Sequence, residues 1–282
     1  MIGQLRRAWS IRLQDAGIEN AEAESEIILS YLTGLHRAEL FLHEHDPISD
    51  ELRSRGEEWI RRRCLREPLQ YLTGIGPFRM LDLIVTPAVL IPRPETELLV
   101  DFLLRETPPN ARIADVGTGS GAIALSLLSE RSDLSALALD ISPDAIAVAQ
   151  KNAEKYSLTD RISFRQSNLL SALQPGEIFG ALAANLPYVT EEEYPSLQPE
   201  VRDYEPKLAL TAPDRGFALI EQLARSMAPH LLPGAPVIFE LDGAQAPRLA
   251  ALLHSLNLWE NISIRKDYCG VDRFVSAKKK GV

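Results

Sequence analysis

The chain has 282 residues, of which 45% are hydrophobic and 24% charged, and its formal net charge is −9 at pH 7. These values are typical of a globular protein of about two domains and exclude a disordered or fibrous chain. The acidic balance argues against tight nonspecific nucleic-acid binding, which depends on Lys and Arg. Two cysteines cannot form a disulfide framework, and no stretch approaches the roughly 20 apolar residues of a membrane span. We therefore expect a soluble, cytoplasmic protein.

Residues 1–74 are predicted to form an all-helical domain. Apolar residues recur three or four positions apart from Ala23 to Leu32, and Gly34 is a typical helix stop. A second amphipathic stretch begins at residue 49 and ends before Pro68, because the residue before a proline disfavours the helical conformation. No strand-like alternation occurs here, so the segment indicates a small helical bundle.

The pattern changes at residue 75. Residues 75–92 are rich in Gly, Pro and β-branched residues and predict a hairpin that links two domains. From residue 93 to 282, strand and helix patterns alternate, which predicts an α/β domain with a mainly parallel sheet covered on both faces. The predicted strands are residues 111–116, 135–140, 161–166, 181–185, 236–241, 261–266 and 273–278.

A glycine-rich turn follows the first strand of this domain. Residues 115–121, Asp-Val-Gly-Thr-Gly-Ser-Gly, join that strand to a helix. Glycines permit a tight turn and close backbone approach, and the helix N-terminus offers unpaired N–H groups. Asp140 ends the next strand, where a carboxylate can accept hydrogen bonds from both hydroxyls of a ribose.

The spacing Gly-x-Gly-x-Gly differs from the Gly-x-Gly-x-x-Gly of dinucleotide sites. An acidic residue before the first glycine favours a cationic ligand, such as the sulfonium and amino groups of S-adenosylmethionine. A glycine-rich turn without any ligand is the alternative. The predicted donor site consists of Asp115, Gly117, Thr118, Gly119, Ser120, Gly121 and Asp140.

A second turn, Asn185-Leu186-Pro187-Tyr188, follows the fourth strand. Ligands of open parallel sheets bind outside the carboxyl ends of the strands, so this turn is expected beside the methyl donor. An amide or aromatic amino nitrogen is a poor nucleophile because its lone pair is delocalised. The Asn185 side-chain oxygen and the Leu186 carbonyl can accept from its two N–H bonds and aim the lone pair at the methyl group. Pro187 stiffens the turn, and Tyr188 offers a flat face to a planar group; an ordinary Asn-x-Pro turn is the alternative.

These motifs resemble those of class I adenosylmethionine-dependent amino methyltransferases. Three further segments resemble the peptide chain release factor glutamine methyltransferases, the PrmC/HemK family: residues 67–74 (Glu-Pro-Leu-Gln-Tyr-Leu-Thr-Gly), 89–97 (Val-Leu-Ile-Pro-Arg-Pro-Glu-Thr-Glu) and 204–210 (Tyr-Glu-Pro, then Ala-Leu). The resemblance spans nearly the whole chain. It implies methylation of the side-chain nitrogen (N5) of the Gln in the Gly-Gly-Gln motif of bacterial class 1 release factors. It also implies an N-terminal helical domain that docks the release factor, and a Rossmann-like sheet with a final antiparallel strand at residues 273–278.

Two positions depart from the family pattern. Leu186 stands where the family usually has Pro, and Asn-Leu-Pro-Tyr is also the form seen in rRNA adenine dimethyltransferases. Asn168 and Leu169 occupy the adenine-binding position after the third strand, where an acidic residue is usual in place of Asn168. Two alternatives therefore stay open: a nucleic-acid adenine N6-methyltransferase, and a non-catalytic protein that senses adenosylmethionine or docks on the ribosome.

No metal site is expected. The side chains of His43 and His45 would diverge on a helix, and no third cluster of ligands stands nearby in the sequence. The run 61–63 of three arginines predicts a solvated helix face, or a contact with RNA or a partner. We expect a monomer without a stable nucleic-acid partner.

For several residues, the sequence allows both a functional and a structural interpretation. Phe78 could cover the donor or pack in the hairpin. Segment 93–96 could border the donor site or cap a helix, and Glu240 could face the site or be satisfied within the fold.

Overall fold

A computed structural model describes residues 1–281, which form two compact units. The first unit comprises Met1–Ile75 and Gln198–Tyr204, and the second comprises Gly76–Leu197 and the chain from Glu205 onward. The hairpin after Ile75 therefore belongs to the second unit. Within the described residues, every helix is too short or too polar to cross a membrane.

The elements follow one another in the order that the sequence patterns predict. The helices are α1 Ile2–Asp15, α2 Ala21–Thr33, α3 Glu39–Leu42, α4 Asp50–Cys64, α5 Leu69–Thr73, α6 Glu97–Glu106, α7 Ala122–Glu130, α8 Pro143–Lys155, α9 Pro199–Tyr204, α10 Pro213–Gly216, α11 Ala218–Ser226 and α12 Ala246–Leu256. The strands are β1 Ile75–Phe78, β2 Leu81–Ile84, β3 Arg112–Val116, β4 Ser135–Asp140, β5 Ile162–Gln166, β6 Ala181–Asn185, β7 Pro236–Glu240, β8 Trp259–Lys266 and β9 Asp272–Lys279. Short 3₁₀ turns occupy Pro94–Thr96, Tyr194–Ser196, Lys207–Ala209 and Ala228–His230.

The first unit is helical, as predicted, and is built on one apolar core. Trp9 of α1 is fully buried, and Gly56 of α4 makes room for it. A Cβ at position 56 would lie only 2.1 Å from the Trp9 ring, so α1 and α4 pack closely only because this residue is glycine. Ser49 caps α4 by accepting from the backbone N–H of Leu52 at 3.3 Å.

The arginine run of α4 is engaged in ion pairs inside this unit. Arg63 is 6% exposed and contacts Glu24 at 2.6 Å and Glu200 at 3.0 Å. Arg61 and Arg62 pair with neighbouring glutamates of the same unit. The prediction of a solvated face fits the exposed Arg61 but is wrong for Arg63, because that side chain is buried between two carboxylates.

The second unit contains a seven-stranded sheet in the order β5-β4-β3-β6-β7-β9-β8. The strands from β5 to β7 pair in parallel, and β9 is antiparallel to β7. The final antiparallel strand is thereby confirmed, and β8 pairs with β9 in antiparallel fashion at the edge, so that β8 runs in the same direction as β7. Strands β1 and β2 form a separate two-stranded sheet.

Two apolar cores cover the two faces of the large sheet, as expected for strands alternating with helices. Along β3, Ala114 and Val116 face one core, while Ile113 faces the other. Phe78 is 1% exposed and packs in the second core with α6 and α7 residues. The structure thus favours the packing role of Phe78 over a role in covering the donor.

Candidate active site

The candidate site lies where the strand order of the sheet reverses. From β3 the chain proceeds to β4 and β5 on one side, whereas β6 lies on the other side of β3. Such a reversal leaves a crevice at the carboxyl ends of the strands, where ligands of open α/β sheets bind. Val116 is paired with Ala184, so the glycine turn and the Asn185 turn start side by side. A cavity of about 360 Å³ lies there and is lined by both turns.

The glycine turn curls over the end of β4. The backbone N–H groups of Gly117 and Thr118 both donate to the Leu139 carbonyl, at 2.8 and 3.0 Å. Gly117 has φ +79°, and a Cβ there would lie 3.0 Å from the Leu186 side chain. Only glycine therefore lets the two turns meet. At Gly119 an added Cβ would meet no atom within 4 Å, so this part of the turn faces open space.

Asp140 ends β4 and lines the cavity. One carboxylate oxygen accepts from the Gly119 N–H and the other from the Ser142 N–H, each at 2.9 Å. Burial raises the pKa of Asp140, and these backbone hydrogen bonds oppose that shift. Each oxygen keeps a free lone pair, so the carboxylate is held in place and can still accept from two hydroxyl groups.

Asp115, a predicted donor residue, lies beneath the glycine turn. Its side chain is fully buried beneath the glycine turn, and it is not among the described residues that line the cavity. One oxygen accepts from the Thr118 hydroxyl at 2.7 Å and from the Ala124 N–H at 3.2 Å, and the other has no partner within residues 1–281. Burial raises the pKa of Asp115 to about 6. Asp115 therefore braces the glycine turn from below.

Of the remaining predicted donor residues, all but Gly121 lie on the cavity wall. Thr118, Ser120, Asn168 and Leu169 line it, whereas Gly121 turns the chain into α7 with φ +85°. Leu169 also has a positive φ of +51°, and the Ser167 hydroxyl donates to its carbonyl at 2.7 Å. Asn168 is exposed, so its side chain is available at the mouth of the cavity.

The Asn185 turn supplies the opposite part of the wall. Asn185, Leu186 and Pro187 line the cavity, and the Leu186 side chain is 4% exposed and packs in a core. Leu186 thus fills apolar space next to the glycine turn, which explains how leucine fits at this position. The Asn185 amide nitrogen donates to the Thr96 hydroxyl oxygen at 3.3 Å.

Tyr188 is partly buried against a core and is absent from the described cavity wall. Burial raises its pKa to about 12, with a smaller contribution from the Glu240 charge. Its carbonyl accepts from the Gln245 side-chain amide at 3.0 Å, and Gln245 donates also to the Arg215 carbonyl. The contact of its ring with a planar group stays a prediction, and its visible role is to anchor the turn.

Two segments that carry the family resemblance meet at the same cavity. Arg93 contacts the buried carboxylate of Glu205 at 2.6 Å, and the Ile91 N–H donates to the same carboxylate at 3.1 Å. Burial raises the pKa of Glu205, and the Arg93 charge opposes that rise. Arg93, Pro206 and Leu208 line the cavity, so this ion pair holds part of its wall.

Known proteins and family models match this sequence over nearly its whole length. The family model described as PrmC N-terminal domain matches residues 4–74, and the one described as Methyltransferase small domain matches residues 94–197. A release factor glutamine methyltransferase of Koribacter versatilis is 37% identical over 269 residues, which cover 95% of this chain and 94% of that protein. One of Moorella thermoacetica is 37% identical and covers 95% of both chains. The chain belongs to the release factor glutamine methyltransferase family.

Solved structures of lower identity support the fold of this family member. A methyltransferase from Pyrococcus furiosus has a TM-score of 0.54 at 16% identity, covering 80% of this chain and 98% of that one. The M. jannaschii tRNA m1G37 methyltransferase has a TM-score of 0.53 at 14% identity, covering 74% and 57%. Together with the sheet order and the match to the Methyltransferase small domain model, these likenesses show that the second unit has the Rossmann-like fold of class I methyltransferases.

Several residues that build the site are not apparent from the sequence motifs of the family. Asn152 of α8 is fully buried and its side chain donates to the Ser120 and Ile84 carbonyls, which ties the hairpin to the glycine turn. A polar residue among the apolar positions of that helix is the one signal in the sequence that points to it. Gly216 and Gln245 carry no such signal, because their contacts with Tyr188 join distant segments.

The sequence cluster around His43 is not a built metal site in the described chain. His43 contacts Asp46 at 2.6 Å, and His45 contacts Glu44 at 3.3 Å. Among residues 1–281, no group of three or more His, Cys, Asp or Glu side chains could hold a metal ion.

Proposed function

We propose that this protein transfers a methyl group from S-adenosylmethionine to the side-chain nitrogen (N5) of the Gln in the Gly-Gly-Gln motif of class 1 release factors. The observation that carries the proposal is one cavity lined by Asp140 and Gly119 on one part and by Asn185 and Leu186 on another, in a chain of this family. The donor and the acceptor amide can then meet within a single site.

The residues of the glycine turn fit the donor. Gly117, Thr118, Gly119 and Ser120 line the cavity, with open space beside Gly119, and Gly121 turns the chain away into α7. Asp140 keeps two free lone pairs for ribose hydroxyls. Asn168 and Leu169 border the adenine. Asp115 acts through the turn, and its unpartnered buried oxygen adds negative charge beneath a site for a cationic ligand. When bound, S-adenosylmethionine supplies an electrophilic methyl group on a sulfonium sulfur.

Asn185 and Leu186 prepare the acceptor amide. The Asn185 side-chain oxygen and the Leu186 carbonyl accept from its two N–H bonds, which aims the nitrogen lone pair at the cavity and favours the pyramidal nitrogen of the transition state. Pro187 and the anchored Tyr188 keep these two acceptors in place. No strong base and no metal are required, because the sulfonium is already a good leaving group and the product loses its proton afterwards.

We further propose a cytoplasmic monomer whose first unit docks the release factor and which has no stable nucleic-acid partner. The net charge of −9 and the engagement of Arg61, Arg62 and Arg63 in ion pairs support this view, since no unpaired basic run remains in α4.

The direct test is mass spectrometry of a purified bacterial class 1 release factor after incubation with this protein and S-adenosylmethionine. We expect one added methyl group on the peptide that contains Gly-Gly-Gln. A release factor with Asn in place of that Gln is the matched control and should gain none. Methylation of rRNA in a parallel incubation, with none on the release factor, would instead establish the nucleic-acid alternative. Donor binding without transfer to either substrate would favour the sensor alternative.

A further inference from the structure

Glu240 ends β7 directly beside Asn185. In the parallel register of β6 and β7, Asn185 is the partner of Glu240, so both side chains leave the sheet on the same face. Glu240 is only 2% exposed, and it is not among the described residues that line the cavity, whereas Asn185 and Thr96 are. The carboxyl group therefore lies behind the wall that would contact the acceptor amide.

Thr96 and Asn185 are hydrogen-bonded to each other, and both lie close to the buried Glu240 carboxyl group. The Asn185 amide nitrogen donates to the Thr96 hydroxyl oxygen at 3.3 Å. The polar groups of Thr96 and Asn185 lower the pKa of Glu240, although burial, which raises it, outweighs them. The Oε2 atom of Glu240 has no hydrogen-bond partner within residues 1–281. Few donors surround this buried carboxylate, so an orientation of Asn185 that points its N–H groups at the carboxylate is strongly stabilised.

The orientation of the Asn185 amide decides whether the site can work. An Asn side chain presents an acceptor oxygen at one end and two donors at the other, and rotation about its last bond exchanges them. Only the orientation with the oxygen towards the acceptor amide can accept from its N–H bonds. An ionised carboxylate accepts hydrogen bonds and donates none, so it favours the nitrogen of Asn185 at its own end.

We infer that Glu240 is a positioning residue that, together with Thr96, holds the Asn185 amide with its oxygen facing the acceptor. The inference rests on the proposed function, because the orientation of the Asn185 amide matters only if its oxygen accepts a hydrogen bond from an N–H group of the acceptor amide. It assigns to the end of β7 a role that the Asn185 turn cannot fill alone, since nothing within that turn distinguishes the two orientations of the amide.

The role of Glu240 makes the reaction sensitive to pH. Burial raises the pKa of Glu240 to about 7. The charge of Arg273 in β9 opposes this rise, whereas the charge of Glu95 in the 3₁₀ turn Pro94–Thr96 adds to it. The phenol of Tyr188 stays neutral over this range because its pKa is about 12. Below pH 7 a protonated Glu240 can donate to the Asn185 oxygen and stabilise the reversed amide. Turnover at saturating donor should therefore fall as the pH is lowered through the pKa of Glu240.

The first test needs no turnover. In the ligand-free protein labelled with ¹⁵N-asparagine, the side-chain NH₂ signals of Asn185, assigned by their loss in Asn185→Ala, should shift with pH around a midpoint near 7. In Glu240→Gln they should be insensitive to pH over the same range. Signals of Asn185 that ignore pH in the wild-type protein, or that titrate equally in Glu240→Gln, would overturn the inference.

The second test follows turnover on the release factor. Glu240→Gln should lower kcat about tenfold, because an uncharged amide holds Asn185 less firmly, and should remove the acid limb of the kcat profile. Donor affinity should stay within about twofold, since Glu240 is away from the cavity wall. An acid limb that persists in Glu240→Gln would point to another group, such as Asp115, and would contradict the role of Glu240. If the wild-type protein leaves the release factor unmethylated, the proposed function fails. The NMR titration would still show whether Glu240 controls the orientation of the Asn185 amide.

A third variant tests the inference even if Glu240→Gln fails to fold. Glu95→Gln removes a neighbouring negative charge, so the Asn185 midpoint and the acid limb should both move to lower pH. Glu192→Gln, an exposed glutamate elsewhere on the chain, is the matched control and should leave both unchanged. An unmoved midpoint in Glu95→Gln would show that the titrating group is not Glu240.

Discussion

Asn185 and Asp140 are proposed to bind different molecules, although both line one cavity. In the proposed roles, Asn185 accepts hydrogen bonds from the acceptor amide, whereas Asp140 accepts them from the ribose of the donor. Substitutions at the two positions should therefore affect different kinetic quantities. This separation is the strongest check on the residue roles, because a general loss of folding would affect both quantities together.

Removal of the Asn185 side chain should damage turnover much more than donor binding. Asn185→Ala is expected to lower kcat by about 10²-fold or more, the scale for loss of one orienting group in an active site. The measurement is initial-rate methylation of the release factor, combined with donor titration by calorimetry. An equal loss of donor affinity would contradict the proposed role.

Neutralisation of Asp140 should have the opposite signature. Asp140→Asn is expected to weaken donor binding about tenfold or more, because hydrogen bonds to a charged acceptor contribute more than those to a neutral one. At saturating donor, kcat should change less than the affinity. Asp144→Asn, in the exposed first turn of α8, is the matched control and should bind the donor like the wild-type protein. Wild-type affinity in Asp140→Asn would remove Asp140 from the donor site.

At the scale of elements, the Asn185 turn depends on segments that follow it by about thirty to sixty residues. Gly216 at the end of α10 lies against the Tyr188 carbonyl, and Gln245 just before α12 donates to it. An added Cβ at Gly216 would lie 1.8 Å from that carbonyl oxygen. The position of the Asn185 turn, which is proposed to bind the acceptor amide, therefore depends on how Gly216 and Gln245 pack against Tyr188.

Gly216→Ala should displace the turn and lower both stability and kcat, the latter by about tenfold or more, since misplacement of a positioning group by about 1 Å can cost 10²-fold. Gly234→Ala is a matched control, because Gly234 has a similar φ of +78° against +73° but an added Cβ there meets nothing within 4 Å. Thermal melts and methylation rates of the two variants separate backbone strain from the clash. Equal effects of the two substitutions would show that the contact with Tyr188 is unimportant.

At the scale of the whole molecule, Gln198–Tyr204 interrupts the second unit in sequence but belongs to the first. Glu200 of α9 contacts Arg63 and Arg66 of the first unit, and the Tyr204 hydroxyl donates to the Leu65 carbonyl at 2.7 Å. The first unit is therefore completed by a segment that follows it by more than a hundred residues, and its buried ion pairs include one from that segment.

Loss of Arg63 should destabilise the first unit strongly. Arg63→Ala leaves the largely buried Glu24 without a cation, whereas Glu200 keeps Arg66, and breaking a buried pair in this way costs about 3 kcal/mol. Glu200→Ala should cost less, since Arg63 keeps Glu24. A double-mutant cycle between Arg63 and Glu200, measured by urea unfolding, should give a coupling energy of about 1 kcal/mol.

The exposed pair of Arg61 and Glu58 is the control for that cycle, and it should show no measurable coupling. A similar absence of coupling between Arg63 and Glu200 would indicate that α9 is held to the first unit by its other contacts.

The sequence by itself determined the order of helices and strands, the helical first unit, the glycine turn and the Asn185 turn. These features are local: hydrophobic periodicity, glycine and proline positions and short motifs act over a few residues. It also indicated that Asp140 and Asn185 would share one edge of the sheet, because both follow parallel strands.

The tertiary structure alone decided which distant side chains meet. Strand register places Glu240 beside Asn185, close packing places Gly216 against Tyr188, and burial of Asp115 places it under the turn and away from the cavity. The burial of Arg63 likewise depends on a segment far along the chain. Contacts of this kind depend on how whole elements pack, and no local pattern of residues encodes them.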